Sequence, residues 1–124
     1  MAVKVVDASA VAALLFSEPE AEVVASALDG AELVAPTLLS FELTNVCVMK
    51  CRRHPDLRQA LLAAFQLRGR LGIAETAVDH RDVLELALKY GLTAYDASYL
   101  VLARKLGAEL VTLDEALTRA GAAK

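Results

Sequence analysis

The sequence has 124 residues, and 13 Lys and Arg against 16 Asp and Glu give a formal net charge of −3. This length suits a single domain over residues 1–124, and a hydrophobic content of 56% favours a well-filled core and excludes intrinsic disorder. The acidic balance also excludes a protein covered in positive charge, so contact with nucleic acid would need a local basic surface.

Signals for export or membrane insertion are missing from the sequence. Asp7 interrupts the apolar stretch from Met1 to Phe16, and no uncharged apolar run approaches the ~18 residues of a membrane span. Two cysteines are too few for a secreted disulfide framework. We therefore expect a cytoplasmic protein that does not enter a membrane.

Strand and helix signals alternate along the chain. Apolar, β-rich segments predict strands at 2–6, 33–35, 71–74 and 109–113. Helical patterns bounded by capping residues, Gly or Pro predict helices at 10–16, 19–28, 37–54, 55–69, 79–90, 93–106 and from 114 onward. The expected capping side chains are Ser9, Thr37, Asp79 and Thr93. The alternation predicts an α/β fold with a mainly parallel sheet, whose site lies at the carboxyl ends of the strands.

Two acids follow predicted strands at that edge of the sheet. Asp7 comes directly after the first strand, and Asp114 comes directly after the last. If the two strands are neighbours, both carboxylates come within reach of one metal ion. Alternatively, each residue only begins a helix, since Asp is a favoured N-cap and suits the helix dipole.

Two further acids lie on helix faces that we expect to be buried. The predicted apolar stripe around Glu42 consists of Leu38, Leu39, Asn45, Val46 and Met49. Asp96 has Tyr99 and Leu100 as its inward-facing neighbours. A buried carboxylate needs a partner, because leaving it ionised and alone costs several kcal/mol. The alternatives are that Glu42 reaches water at the edge of its stripe and that Asp96 forms a capping box with Thr93.

A shared divalent cation would resolve the repulsion among these acids. Carboxylates that converge without bases raise one another's pKa values. Mg²⁺ and Mn²⁺ prefer oxygen ligands, and such ions activate water and clamp phosphodiesters for in-line displacement.

Four segments carry a recognisable pattern in order along the chain: 5–9 (VVDAS), 40–45 (SFELTN), 94–99 (AYDASY) and 111–114 (VTLD). Together they resemble the PIN-domain nucleases, and most of all the VapC-type toxins of bacterial and archaeal toxin–antitoxin pairs. The likeness spans nearly the whole chain, from Val5 to Asp114.

This resemblance implies a PIN-like α/β/α sandwich and a metal-dependent endoribonuclease that uses Mg²⁺ or Mn²⁺. It implies that the catalytic and metal-binding acids are Asp7, Glu42, Asp96 and Asp114, with Asp7 and Asp96 the firmest ligands. The accessory residues that orient these carboxylates by hydrogen bonds would be Ser9, Asn45 and Thr112. PIN relatives also imply 5′-phosphate and 3′-hydroxyl products, a homodimer or higher oligomer, and a cognate antitoxin.

The alternatives are a PIN-type nuclease acting on other RNA or on DNA outside a toxin pair, and a non-catalytic acidic binding module. Substrate contact is expected from six bases in one stretch, Lys50, Arg52, Arg53, Arg58, Arg68 and Arg70. The alternative for each base is an ordinary solvated helix face.

Cys47, Cys51 and His54 share a helix at a spacing that suggests zinc. A structural zinc site normally needs four ligands, so buried free thiols are the favoured interpretation. Nucleotide-binding loops and the G-x-S-x-G nucleophile motif do not occur in the sequence.

Overall fold

A computed structural model describes residues 1–122 and contains one parallel sheet of four strands. The strands are β1 Val3–Val6, β2 Glu32–Pro36, β3 Ala74–Thr76 and β4 Glu109–Val111. Their order across the sheet is β3-β2-β1-β4, and every pairing is parallel. The predicted parallel sheet is therefore confirmed, with β1 and β4 as neighbours.

Helices flank this sheet in the predicted α/β/α arrangement. They are α1 Ala8–Leu15, α2 Ala21–Leu28, α3 Leu39–Arg53, α4 Arg58–Gln66, α5 His80–Tyr90, α6 Ala94–Leu106 and α7 Glu115–Ala122. Two 3-10 turns, Pro55–Leu57 and Leu67–Leu71, flank α4. Helix α6 packs on β1, β2, β4 and α5, while α1 packs on α2 and α3. Among residues 1–122, no helix combines the length and apolar character needed to cross a bilayer.

The core is centred on β1, which has a hydrogen-bonded strand on each side. Val5 and Val6 are fully buried, because helices cover the strand as well. The lysine of this strand stays near the rim, where Lys4 Nζ lies 3.3 Å from Glu109 Oε2. The ends of α5 and α6 are set by Gly91 and Gly107, whose φ angles of 65° and 60° are left-handed and favour glycine.

The third strand lies later in the chain than its apolar residues predict. Leu71 ends a 3-10 turn, and Gly72 after it adopts a left-handed conformation with φ 66°, so β3 begins only at Ala74. The predicted helix at 55–69 is α-helical only over Arg58–Gln66, because 3-10 turns form both of its ends. The last strand ends at Val111 rather than at residue 113.

Two of the predicted helix caps are confirmed and two are wrong. Asp79 and Thr93 cap α5 and α6 with their side chains. Ser9 instead lies inside α1, whose N-cap is Asp7. Thr37 precedes α3 without capping it, because Leu38 occupies the N-cap position, and the Thr37 N–H donates to the carbonyl of Thr76 in β3.

Candidate active site

Asp7 lies where β1 passes directly into α1. Its side chain is 4% exposed, and Oδ1 accepts hydrogen bonds from Ser9 Oγ at 2.7 Å and from the Ala10 N–H at 3.0 Å. Burial raises the pKa of Asp7, the hydrogen bonds from Thr112, Ser9 and Ala10 lower it, and the charge of Asp114 raises it further. The net pKa lies above its ordinary value. Asp7 is therefore both the N-cap of α1 and a buried acid.

Thr112 connects Asp7 to Asp114. Its Oγ1 donates to Asp7 Oδ2 at 2.5 Å and accepts from the Asp114 N–H at 3.0 Å. The contact forms because Val6 of β1 pairs with Val111 of β4, which places the two strand ends side by side. Asp114 is half-buried and lies three residues beyond β4, so the prediction that it directly follows the strand is wrong. Its Oδ1 accepts from the Leu117 N–H at 2.8 Å, so Asp114 also begins α7.

Glu42 lies in the first turn of α3 and is half-buried. The buried face of this helix is formed by Leu39, Leu43 and Cys47. The predicted stripe is therefore partly wrong, since Met49 is 49% exposed and Asn45 is exposed. The carboxylate does have a buried partner, the hydroxyl of Tyr99, which donates to Glu42 Oε1 at 2.6 Å.

Asp96 lies in the first turn of α6, with its side chain half-buried. Its N–H donates to Thr93 Oγ1 at 3.1 Å, as a helix-start role requires. The neighbours Tyr99 and Leu100 are 1% and 2% exposed, which confirms the predicted buried face. Burial raises the pKa of Asp96, and the charges of Asp114 and Asp7 raise it further.

The four acids belong together because charges within the set raise the pKa values of three of its members. The pKa of Glu42 is raised by burial and then by the charges of Asp96 and Asp7, against the lowering effect of Tyr99. Asp114 acts in the same way on Asp7 and on Asp96. Within residues 1–122, none of these four acids forms a salt bridge. We call Asp7, Glu42, Asp96 and Asp114 the acidic cluster.

The acidic cluster is an open arrangement and not a preformed cage. In the described part of the chain, no three Asp, Glu, His or Cys side chains are placed to hold a metal ion among them. The donor chemistry nevertheless fits a hard divalent cation, because all four groups are carboxylates that repel one another. Mg²⁺ usually keeps several waters and is bound through one or two carboxylates, so it does not require a cage of protein ligands.

The three predicted accessory residues differ in their placement. Ser9 and Thr112 both donate hydrogen bonds to Asp7, and Ser9 Oγ also accepts from the Leu113 N–H at 3.0 Å. They hold the carboxylate between the start of α1 and the segment after β4. Asn45 is exposed on α3, and its side chain makes no hydrogen bond to Asp7, Glu42, Asp96 or Asp114.

The six predicted RNA-contacting bases do not form one uniform surface. Lys50 is paired with Glu18 at 2.8 Å and lies over the ring of Phe16, while the guanidinium of Arg68 lies 4.0 Å from the centre of the Phe65 ring. The other four are exposed: Arg52, Arg53, Arg58 and Arg70. Arg52 is ten residues beyond Glu42 in α3, which corresponds to about 15 Å along the helix axis.

Two contacts of the site were not predicted from the sequence. Tyr99 was expected only to pack in the core, yet its hydroxyl reaches Glu42. Glu75 of β3 accepts from the Ser40 N–H at 3.3 Å and from Ser40 Oγ at 2.8 Å, which ties the start of α3 to the sheet. The one available signal was the i, i+3 spacing of Asp96 and Tyr99, which places them on one face of α6.

The cysteines of α3 lie outside the acidic cluster. Cys47 is buried and Cys51 is half-buried, both as free thiols, and His54 is exposed at the end of α3. Burial raises the pKa of the Cys47 thiol, which agrees with an unreactive buried side chain.

The chain is similar to known proteins over most of its length. The profile of the PIN domain family matches residues 4–123. Ribonuclease VapC3 of Pyrobaculum aerophilum is 36% identical over 118 residues, which cover 91% of this chain and 90% of that protein. The crystal structure of PAE2754 from Pyrobaculum aerophilum superposes with a TM-score of 0.64 at 25% identity, over 98% of this chain and 81% of the other. The chain therefore belongs to the PIN domain family.

Proposed function

We propose that this protein is an endoribonuclease that hydrolyses RNA phosphodiester bonds and acts as the toxin of a toxin–antitoxin pair. The acidic cluster is the observation that carries the proposal, because it gathers acids from four separate elements at one edge of the sheet. The likeness to Ribonuclease VapC3 over most of both chains supports RNA as the substrate. The site of action would then be the cytoplasm, where RNA and an antitoxin are both present.

Mg²⁺ or Mn²⁺ is the cofactor that suits these donors, with Asp7, Glu42, Asp96 and Asp114 as the residues that hold it directly or through water. A bound divalent cation supplies an activated water and offsets charge on the leaving 3′ oxygen. The chain contributes fixed orientation: Ser9, Thr112 and the Ala10 N–H hold Asp7 by three hydrogen bonds.

RNA would be held by bases at a distance from the acids. The exposed guanidinium groups near the end of α3 lie about 15 Å from Glu42 along the helix, so a strand of several nucleotides is needed to reach both. These groups contribute affinity through phosphates rather than through base recognition. Lys50 has less freedom for this role because it already pairs with Glu18.

A cognate antitoxin and a second copy of the chain are the proposed protein partners. Both belong to the toxin assignment and rest on the likeness to Ribonuclease VapC3. A reading frame for a small antitoxin next to the gene would support the toxin assignment over RNA processing outside such a pair.

Cleavage of total cellular RNA tests the proposal. We expect Mg²⁺- or Mn²⁺-dependent cuts that leave 5′-phosphate ends, detectable by sequencing the cut ends. Asp96→Asn should abolish cleavage while the urea unfolding midpoint stays near that of wild type. Asp82→Asn, which neutralises an exposed acid in the first turn of α5, is the matched control and should remain active.

Two outcomes contradict the proposal. Cleavage by Asp96→Asn at the rate of wild type would exclude the acidic cluster as the catalytic site. RNA binding without cleavage, in either metal, would instead favour a non-catalytic binding module.

A further inference from the structure

The hydrogen bond between Tyr99 and Glu42 joins two helices across the site. The residues are 57 positions apart in the sequence, and the phenol hydroxyl donates to Glu42 Oε1 at 2.6 Å. The Tyr99 side chain is only 1% exposed, so packing fixes the position of its ring. Glu42 of α3, by contrast, is half-buried, so part of its side chain is in contact with solvent.

Chemistry makes Tyr99 the donor of this hydrogen bond. A phenol hydroxyl donates to a carboxylate oxygen, and the Tyr99 hydroxyl lies 2.6 Å from Glu42 Oε1. The proton is therefore directed at a carboxylate of the acidic cluster. No second buried donor among residues 1–122 contacts the Glu42 side chain.

We propose that Tyr99 is a positioning residue of the acidic cluster, whose buried hydroxyl holds the Glu42 carboxylate beside Asp96 and Asp7 in the arrangement that binds a divalent cation. This inference rests on the proposed function. It adds a specific role for a residue that otherwise belongs to the core.

Two interactions of opposite effect act on the Glu42 side chain: repulsion by neighbouring carboxylates and the hydrogen bond from Tyr99. Glu42 lies in the field of Asp96 and Asp7, which favours rotation of its flexible side chain toward water. The Tyr99 hydroxyl opposes that rotation with a hydrogen bond to an ionised group, which is about twice as strong as a neutral one. Loss of a partner that orients a metal ligand typically costs about 10–100-fold in metal affinity or activity.

Tyr99→Phe removes only the hydroxyl and keeps the buried ring. We expect Mn²⁺ binding without RNA, measured by calorimetry or by electron paramagnetic resonance of the free ion, to weaken about tenfold or more. RNA cleavage should require correspondingly more metal and recover most of its rate at saturating metal, with KM for RNA unchanged. A purely structural role would instead move the unfolding midpoint and leave metal affinity intact.

Tyr90→Phe is the matched control. The Tyr90 hydroxyl accepts from Arg104 at 2.9 Å, and Arg104 lies about 12 Å along α6 from Asp96. This variant also loses a hydrogen-bonded phenol hydroxyl, but it should bind Mn²⁺ as wild type does.

A measurement on the wild-type protein covers the case in which Tyr99→Phe does not fold. The chain has three tyrosines, so the Tyr99 ring carbon can be assigned in a ¹³C-tyrosine spectrum by elimination with Tyr90→Phe and Tyr95→Phe. Titration with Mg²⁺ should shift the Tyr99 signal and leave the Tyr90 signal in place.

Two results overturn the inference: a Tyr99→Phe protein that binds Mn²⁺ as tightly as Tyr90→Phe, or a Tyr99 signal that does not respond while Mg²⁺ binds. Either result leaves an active, metal-dependent wild type intact. Failure of the proposed function is different, because the wild type itself would then neither bind the metal at the cluster nor cleave RNA.

Discussion

Thr112→Val tests whether one hydroxyl joins Asp7 to the segment that carries Asp114. Thr112 Oγ1 donates to Asp7 Oδ2 at 2.5 Å and accepts from the Asp114 N–H at 3.0 Å, and valine replaces this hydroxyl by a methyl group. A hydrogen bond to an ionised group contributes about 1.5–3 kcal/mol, and a neutral one about 0.5–1.5 kcal/mol. We therefore expect Thr112→Val to lower the free energy of unfolding by about 2–4 kcal/mol at neutral pH.

The loss should depend on pH, since the Thr112 hydroxyl favours the ionised form of Asp7 and lowers its pKa. That contribution is present above the pKa of Asp7 and disappears as the pH falls through it. The difference between wild type and Thr112→Val should accordingly be larger at about pH 7 than at about pH 4.

Urea unfolding without divalent cations measures both effects. Thr44→Val is the matched control, because its hydroxyl donates to the Ser40 carbonyl on the exposed side of α3 and its loss should stay within about 0.5 kcal/mol. Equal urea midpoints for Thr112→Val and Thr44→Val would refute this role of Thr112. The same destabilisation of Thr112→Val at both pH values would refute its bond to the ionised form of Asp7.

Two further predictions concern the charges of the site. The folded protein raises the pKa values of Asp7, Glu42 and Asp96 above those of the unfolded chain. The resulting stabilisation is present below the unfolded-state pKa values and is lost as the pH rises through the folded-state pKa values. The metal-free protein should therefore become less stable between about pH 4 and pH 7. Added Mg²⁺ should restore stability at pH 7 in urea unfolding, and a stability that rises over this pH range would contradict the raised values. Arg52→Ala should raise KM for RNA with kcat unchanged, and it should reduce the slope of log affinity against log salt concentration by about one. Arg81→Ala on α5 is the control and should change neither quantity. Equal slopes for the two variants would exclude contact between Arg52 and an RNA phosphate.

The parts of the fold that were predictable have a strong local cause. The buried run of β1 has few alternatives to a central strand, and Asp79 and Thr93 carry the side chains that satisfy free N–H groups at helix starts. Strand β3 was misplaced because all three of its residues are exposed, so no hydrophobic pattern marks it. The apolar residues just before it, Leu71 and Ile73, pack against the core from a turn and a loop.

The acids of the site and two hydrogen-bond partners of Asp7, Ser9 and Thr112, were predictable from the sequence, and the partner of Glu42 was not. Asp7 and Asp114 stand near strand ends, and Asp96 stands at a helix start beside a buried face, which are features of local sequence. The contact from Tyr99 to Glu42 instead depends on where the fold places α6 relative to α3. The i, i+3 spacing of Asp96 and Tyr99 places both on one face of α6, but no pattern within either helix determines how α6 and α3 lie relative to each other.

The double role of Asp7 has a practical consequence for anyone who needs an inert version of the protein. A change to Ala would remove charge and also leave the first turn of α1 without its acceptor, so lost activity could not be separated from damage to the scaffold. Asn offers the same acceptor with no charge. Asp7→Asn is therefore preferred to Asp7→Ala for trapping uncut RNA, because it keeps the N-cap of α1 even though its amide NH2 replaces the oxygen that accepts from Thr112.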